Sequence, residues 1–297
     1  MSKKTWRDHL IDPTSPDRRP RRAAYALPTM FTAGNIFLGF YALLETFRGA
    51  MQTAAVDTHA SSHFELAAKA IGVAVFLDGL DGRIARMTNT VSDFGREMDS
   101  LADVITFGIA PAVLAFVFGI EFMDRSMPHQ VFEFLQRAGY FLAFVYLLCG
   151  SARLARFNIT HNPIPKNPGR PDRKYFVGLP IPSAAAFIAA VVYAADSEPL
   201  HSWIFSALWL AMLALLSFLM VCTWRYPSFK DLSLTKPRSP LTIILLGSLI
   251  VLVWNFSQPV LMGLAITYVG SGIALRTGGI IRRMRQTPPS QPEHQVG

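Results

Sequence analysis

From Asp78 to Asp103 the chain reads DGLDGRIARMTNTVSDFGREMDSLAD, an acid-rich segment set between two apolar runs. Asp78 and Asp81 share one face of a helix, and Asp99 and Asp103 share one face of the next, because residues three or four apart sit above one another. The polar stretch Thr88–Asp93 separates them, with Ser92 or Asp93 placed to cap the second helix, so the spacing predicts a hairpin that turns the two acid pairs toward each other. Four carboxylates within a few ångströms repel one another strongly, and the cluster therefore implies bound divalent cations. All-oxygen ligation without a nearby His or Cys favours Mg²⁺, Mn²⁺ or Ca²⁺ over zinc. Gly82 and Gly95 remove side chains beside the acids, Ala85 keeps the next turn small, and Arg86 adds a fixed positive charge. Metal, Arg and bare backbone together suit a pyrophosphate.

The surrounding composition places this cluster at a membrane. Of 297 residues, 51% are hydrophobic and only 16% charged, too few charges to clothe a soluble globule of this length. Runs long enough to cross a hydrocarbon layer of roughly 30 Å recur at Tyr25 to Leu44, Val104 to Ile120, Ala138 to Ala152, Leu179 to Ala195, Trp203 to Trp224, Leu241 to Phe256 and Pro259 to Leu275. Phe64 to Leu77 is a weaker eighth, since Glu65 and Lys69 lie near its start. Including it puts both termini on one side together with 24 of the 28 Lys and Arg residues, leaving only Arg48, Lys69, Arg125 and Arg137 opposite. The acids divide 12 against 8, as expected when only Lys and Arg set topology. The expected fold is thus an all-α membrane protein of about eight transmembrane helices with both termini cytoplasmic, the acids lying at the cytoplasmic end of spans two and three.

Three regions follow: a basic cytoplasmic tail (1–24), a transmembrane catalytic domain (25–276), and a cytoplasmic, disordered tail (277–297), rich in Pro and Gln from Gln286 onward. The first 24 residues lack an apolar signal core and read as a retained tail resting on anionic headgroups. Membrane lipids rather than nucleic acid are the expected partners of the net charge of +8. Cys149 and Cys222 lie in apolar runs and read as small hydrophobes, and His59 with His63 reads as solvated outer surface.

The motif Asp78-x-x-Asp81-Gly82-x-x-Ala85-Arg86, then eight residues, then Gly95-x-x-x-Asp99-x-x-x-Asp103 resembles the signature of the CDP-alcohol phosphatidyltransferases. Three further stretches resemble the serine-using branch of that family: LPTMFTAGNIFLGF from Leu27, MDSLADVITFGIAPA from Met98, and SARLARFN from Ser151 followed by YFVGLPIPSAA from Tyr175. The resemblance implies Mg²⁺ or Mn²⁺ dependence, a multi-pass enzyme of the cytoplasmic (inner) membrane working on its cytoplasmic face, and a homodimer. It implies that CDP-diacylglycerol donates its phosphatidyl group to L-serine, giving phosphatidylserine and CMP. By position, Asp78, Asp81, Asp99 and Asp103 would hold metal, and Asp103 would also act as general base. Thr32, Asn35, Gly82, Ala85, Arg86, Ser92 and Gly95 would contact the donor. Arg153, Arg156 and Asn158 are the nearest candidates for the acceptor, since Arg pairs a carboxylate through two parallel bonds. Inositol phosphate or glycerol phosphate as acceptor, and more distantly a cation transporter, are the competing readings, because intramembrane carboxylates also line ion routes.

Overall fold

The computed structural model describes residues 19–55, 60–88, 93–125, 127–160, 175–227 and 240–285. Its helices are α1 (Arg19–Ala54), α2 (Ala60–Thr88), α3 (Asp93–Asp103), α4 (Ala110–Phe116), α5 (His129–Thr160), α6 (Ile181–Ala194), α7 (Trp203–Val221), α8 (Pro240–Asn255) and α9 (Ser257–Arg285). Two π-helical segments, Val104–Ile109 and Val117–Glu121, flank α4 and join it to α3 in one continuous rod. All eight apolar runs of the sequence fall on helices. Five stretches are long and apolar enough to cross a membrane by length and composition: Met30–Ala54, Phe94–Glu121, His129–Ile159, Trp203–Val221 and Ser257–Gly278. Helix α6 has 14 residues and α8 has 16, while α2 is long but carries charge.

The side chains are distributed as lipid solvation requires. Small residues fill the interior: Ala67, Ala68, Ala70 and Ala74 of α2 and Ala184, Ala185 and Ala189 of α6 are buried, so these backbones approach closely. Large apolar residues point outward, among them Phe37, Phe40 and Phe47 of α1, Phe141 and Phe144 of α5, and Trp254 of α8. An apolar surface this broad has no counterpart on soluble monomers.

Helix α2 folds back along α1. At one end the Phe64 ring fills the space beside Gly49, where an added Cβ would meet its Cζ at 3.0 Å. At the same end buried Glu45 accepts from Arg48 Nη1 at 2.8 Å and pairs with His63 Nδ1 at 2.5 Å. His63 is therefore a partner of a buried carboxylate rather than the solvated surface residue expected; the run of polar residues around it gave no hint of Glu45 facing it from α1. His59 lies outside the described residues. From His63 to Asp78, α2 climbs about 22 Å at ~1.5 Å per residue and carries Asp78 to the opposite end of the hairpin.

The expected all-α character has one exception among the described residues: β1 (Tyr175–Val177) and β2 (Arg225–Pro227) pair antiparallel, with Phe176 opposite Tyr226. Next to β1, Gly178 adopts φ +78°, and an added Cβ there would stand 2.6 Å from the Met220 carbonyl oxygen. Only glycine suits both demands. Its N–H donates to the Trp224 carbonyl at 2.8 Å, and the Leu179 N–H donates to that of Leu219 at 2.8 Å, tying the start of α6 to the end of α7.

Candidate active site and metal centre

Helices α2 and α3 bring three of the four acids together. One carboxylate oxygen from each of Asp78, Asp99 and Asp103 lies within 4.8 Å of the other two. Asp103 is only 9% exposed, and its Oδ1 has no hydrogen-bond partner among the described residues. A buried acceptor left unpaired beside two further carboxylates is costly, and a divalent cation is the partner that relieves it. The donor set is all oxygen, so a hard cation such as Mg²⁺ or Mn²⁺ fits these residues. Asp81 lies one helical turn beyond Asp78 on α2, and Gly82, Ala85 and Arg86 follow on the same helix; their side-chain positions, and Ser92 entirely, lie outside the described residues. Gly95 stands exposed in the first turn of α3.

The rod changes pitch immediately after Asp103. In the π-helical turn Val104–Ile109, Thr106, Phe107 and Gly108 are buried. Tyr146 Oη donates to the Phe107 carbonyl at 3.0 Å, and Trp209 Nε1 donates to that of Ala115 at 2.8 Å. Backbone acceptors of the rod thus draw donors from α5 and α7, a local irregularity of the kind that gathers at functional sites.

The same turn docks α1. Thr106 Oγ1 donates to the Asn35 carbonyl at 2.9 Å, and Gly39 allows the approach, since an added Cβ would lie 2.6 Å from Thr106 Oγ1 and 2.7 Å from its Cα. Thr32 and Asn35 are consequently buried, at 6% and 2% exposure, on the part of α1 held against the aspartate-bearing rod. Asn35 Oδ1 has no partner among the described residues, an amide oxygen free to accept from a ligand.

The three acceptor candidates on α5 separate. Arg153 is buried, its Nε has no partner among the described residues, and it lies within electrostatic reach of Asp103. Arg156 instead donates from Nη1 to the Val221 carbonyl and from Nη2 to the Val177 carbonyl, each at 3.2 Å, and so fastens the end of α7 to β1. Asn158 is exposed and donates from Nδ2 to Ser100 Oγ at 2.9 Å, beside Asp99. One further residue that the sequence did not single out stands near Arg153, and a second packs against it. Tyr268 of α9 is within electrostatic reach of Arg153 and hydrogen-bonds Ser183, and Tyr226 of β2 packs against it with ring centroids 5.9 Å apart. A tyrosine in a polar loop and another in an apolar span carry no spacing signal; the one local cue was Gly272, whose missing Cβ leaves room for the Tyr226 ring.

Residues 25–224 match the family model described as CDP-alcohol phosphatidyltransferase. Among curated proteins, the chain is 35% identical over 251 residues to the CDP-diacylglycerol–serine O-phosphatidyltransferase of Helicobacter pylori, covering 84% of this chain and 91% of that protein. It is 32% identical over 205 residues to the Bacillus subtilis protein of the same description, covering 69% and 91%. An archaetidylserine synthase of Methanothermobacter thermautotrophicus is 30% identical over 167 residues, covering 56% and 57%.

Proposed function

The chain belongs to the CDP-alcohol phosphatidyltransferase family, and from that premise we propose that it transfers the phosphatidyl group of CDP-diacylglycerol to the hydroxyl of L-serine, giving phosphatidylserine and CMP. The convergence of Asp78, Asp99 and Asp103 carries this reading, together with relatives that share a serine acceptor in their descriptions.

Asp78, Asp81 and Asp99 are the metal ligands in this reading, with Asp103 at their inner edge. A bound Mg²⁺ or Mn²⁺ supplies positive charge against the donor's pyrophosphate and the departing CMP. The chain's own residues do the rest. Thr32 and Asn35 hold the nucleotide from α1, while Gly82, Ala85 and Gly95 leave room for the pyrophosphate, and Arg86 and Ser92 contact it. Asp103 takes the proton of the serine hydroxyl as that oxygen bonds to the phosphorus bearing diacylglycerol. The bond from that phosphorus to the CMP oxygen breaks, and CMP leaves with the electron pair. Arg153, buried beside Asp103, receives the serine carboxylate. Arg156 ties the end of α7 to β1 through two carbonyls, and Asn158 steadies Ser100 next to Asp99.

The sorting of basic residues supports eight spans with both termini in the cytoplasm, and the site then opens to the cytoplasmic face of the inner membrane. Serine and CMP stay in water while the acyl chains stay in lipid. The homodimer implied by the family resemblance belongs to the same reading. A CMP-release assay on purified protein with CDP-diacylglycerol, Mg²⁺ or Mn²⁺, and L-serine, inositol phosphate or glycerol phosphate tests it. Serine is expected to give the fastest release; preference for either phosphate in direct competition would remove serine and keep the family.

A further inference from the structure

Helices α1 and α5 both pack on the π-helical turn Val104–Ile109 that follows Asp103, with almost no contact between them. Two adjacent residues of the turn make separate ties to these helices. Thr106 Oγ1 donates to the Asn35 carbonyl of α1, the helix that carries Thr32. One residue on, the Phe107 carbonyl accepts from Tyr146 Oη of α5 at 3.0 Å. Tyr146 is fully buried and lies outside every motif read from the sequence. Beside this bond Gly108 lets α5 approach closely, since an added Cβ would stand 2.9 Å from Leu147 Cδ1. Helix α5 runs antiparallel to the rod, for Tyr140, earlier in α5, stacks on Phe116, later in the rod, at 4.3 Å between ring centroids. Tyr146 and Arg153 share one face of α5, two turns or about 10.5 Å apart along its axis, and Asp103 precedes Phe107 by one turn, about 6 Å. Helical side chains lean toward the N-terminus, so the long Arg153 reaches back toward the level of Asp103, within whose electrostatic reach it lies.

Building on the serine reading above, we propose that Tyr146 is a positioning residue for the acceptor half of the reaction: its bond to the Phe107 carbonyl fixes the register of α5 against the rod, and so holds Arg153 at the distance from Asp103 that sets the serine hydroxyl before its base. A phenylalanine would fill the same space with its ring. The hydroxyl adds a directional tie, and the groups it aligns are Arg153, two turns on along α5, and Asp103, one turn back along the rod. The donor half is tied to the same turn independently, through Thr106 and α1, so loss of the phenol hydroxyl disturbs the acceptor and spares the donor.

The test is Tyr146→Phe, which keeps the ring and removes only the hydroxyl, measured alone and combined with Arg153→Lys. In the single variant the serine kcat/KM is expected to fall about 10- to 100-fold, the cost of a misplaced reacting group, while the CDP-diacylglycerol KM stays within about twofold and reports that the protein is folded. Arg153→Lys alone should weaken serine use. Because Tyr146 acts through Arg153, adding Tyr146→Phe to Arg153→Lys should cost less than about threefold more, whereas a hydroxyl that only stabilises packing would cost the same factor in both backgrounds. Equal penalties in the two backgrounds, an unchanged serine kcat/KM in Tyr146→Phe, or a donor KM that rises in step overturns this proposal alone. A Tyr146→Phe protein that no longer folds overturns it too, since the hydroxyl would then hold the whole fold rather than one register. A wild type that ignores serine overturns instead the reading on which the proposal rests.

Discussion

Gly39→Ala tests whether the contact between α1 and the aspartate-bearing rod sets the geometry of catalysis. The new Cβ would lie 2.6 Å from Thr106 Oγ1 and 2.7 Å from Thr106 Cα, against an ordinary contact of 3.4–4 Å. The hydroxyl alone could rotate aside, but the backbone Cα cannot. Helix α1 must therefore retreat by roughly 1 Å, a displacement that stretches the 2.9 Å bond from Thr106 Oγ1 to the Asn35 carbonyl and carries Thr32 and Asn35 away from Asp103. Misplacement on this scale costs about 10²-fold in rate when reacting groups must be aligned. Overpacking costs about 1–3 kcal/mol of stability, offset by about 1 kcal/mol from replacing a helical glycine with alanine. The expected outcome is a kcat for CMP release about 100-fold lower with a melting temperature only slightly changed. Gly263→Ala is the control, because nothing lies within 4 Å of its added Cβ on α9, and its activity should match the wild type. Wild-type kcat in Gly39→Ala would refute the claim that this helix contact positions the donor.

Asp103→Asn should lower turnover by about 10²- to 10⁴-fold while CDP-diacylglycerol still binds, and an unchanged rate would remove Asp103 from the proton transfer. Asp78→Asn and Asp99→Asn should each abolish CMP release, with excess Mn²⁺ restoring part of it; full activity of the wild type in EDTA would end the metal assignment. In a background lacking Cys149 and Cys222, a single cysteine at Asn89 should react with a membrane-impermeant reagent only from the cytoplasmic side and one at Ser61 only from the other. Labelling of both from one side would break the eight-span topology.

The sequence disclosed most where chemistry and spacing coincide. Residues three or four apart on a helix share a face, so the convergence of Asp78, Asp99 and Asp103 was legible before any packing was known. Apolar runs likewise marked every helix except the polar α3, although the pattern could not show that α6 has only 14 residues or that α2 is buried through alanines rather than through a strong apolar face. What stayed hidden was set by contacts between distant segments. Tyr146 and Trp209 reach the rod's backbone acceptors only by arriving from α5 and α7, and the division of labour between Arg153 and Arg156 depends on where the carbonyls of Val177 and Val221 come to lie. Two arginines one turn apart are equivalent in a sequence and become different only when, among the described residues, one meets backbone acceptors and the other's Nε meets none.

The two ends of the α1–α2 hairpin show why an acid's surroundings, and not its depth, identify its task. Glu45 is as deeply buried as any charged residue described, yet both its oxygens are answered, one by Arg48 and one by His63. Removing either partner would leave a buried charge uncompensated, so this group is stable only as a fixed structural pair that fastens α1 to α2. At the opposite end Asp103 is nearly as buried, and its Oδ1 is answered by nothing among the described residues, while Asp78 and Asp99 add negative charge beside it. The repulsion and the unmet acceptor both oppose such an arrangement, and Arg153 within electrostatic reach of Asp103 answers only part of it. Cations would offset the rest, which would couple the stability of this end of the hairpin to occupancy of the site. The anchored end then serves the reactive one: Glu45, Arg48 and His63 fix the two helices at the far end, while the aspartates that a cation would draw together sit at the near end.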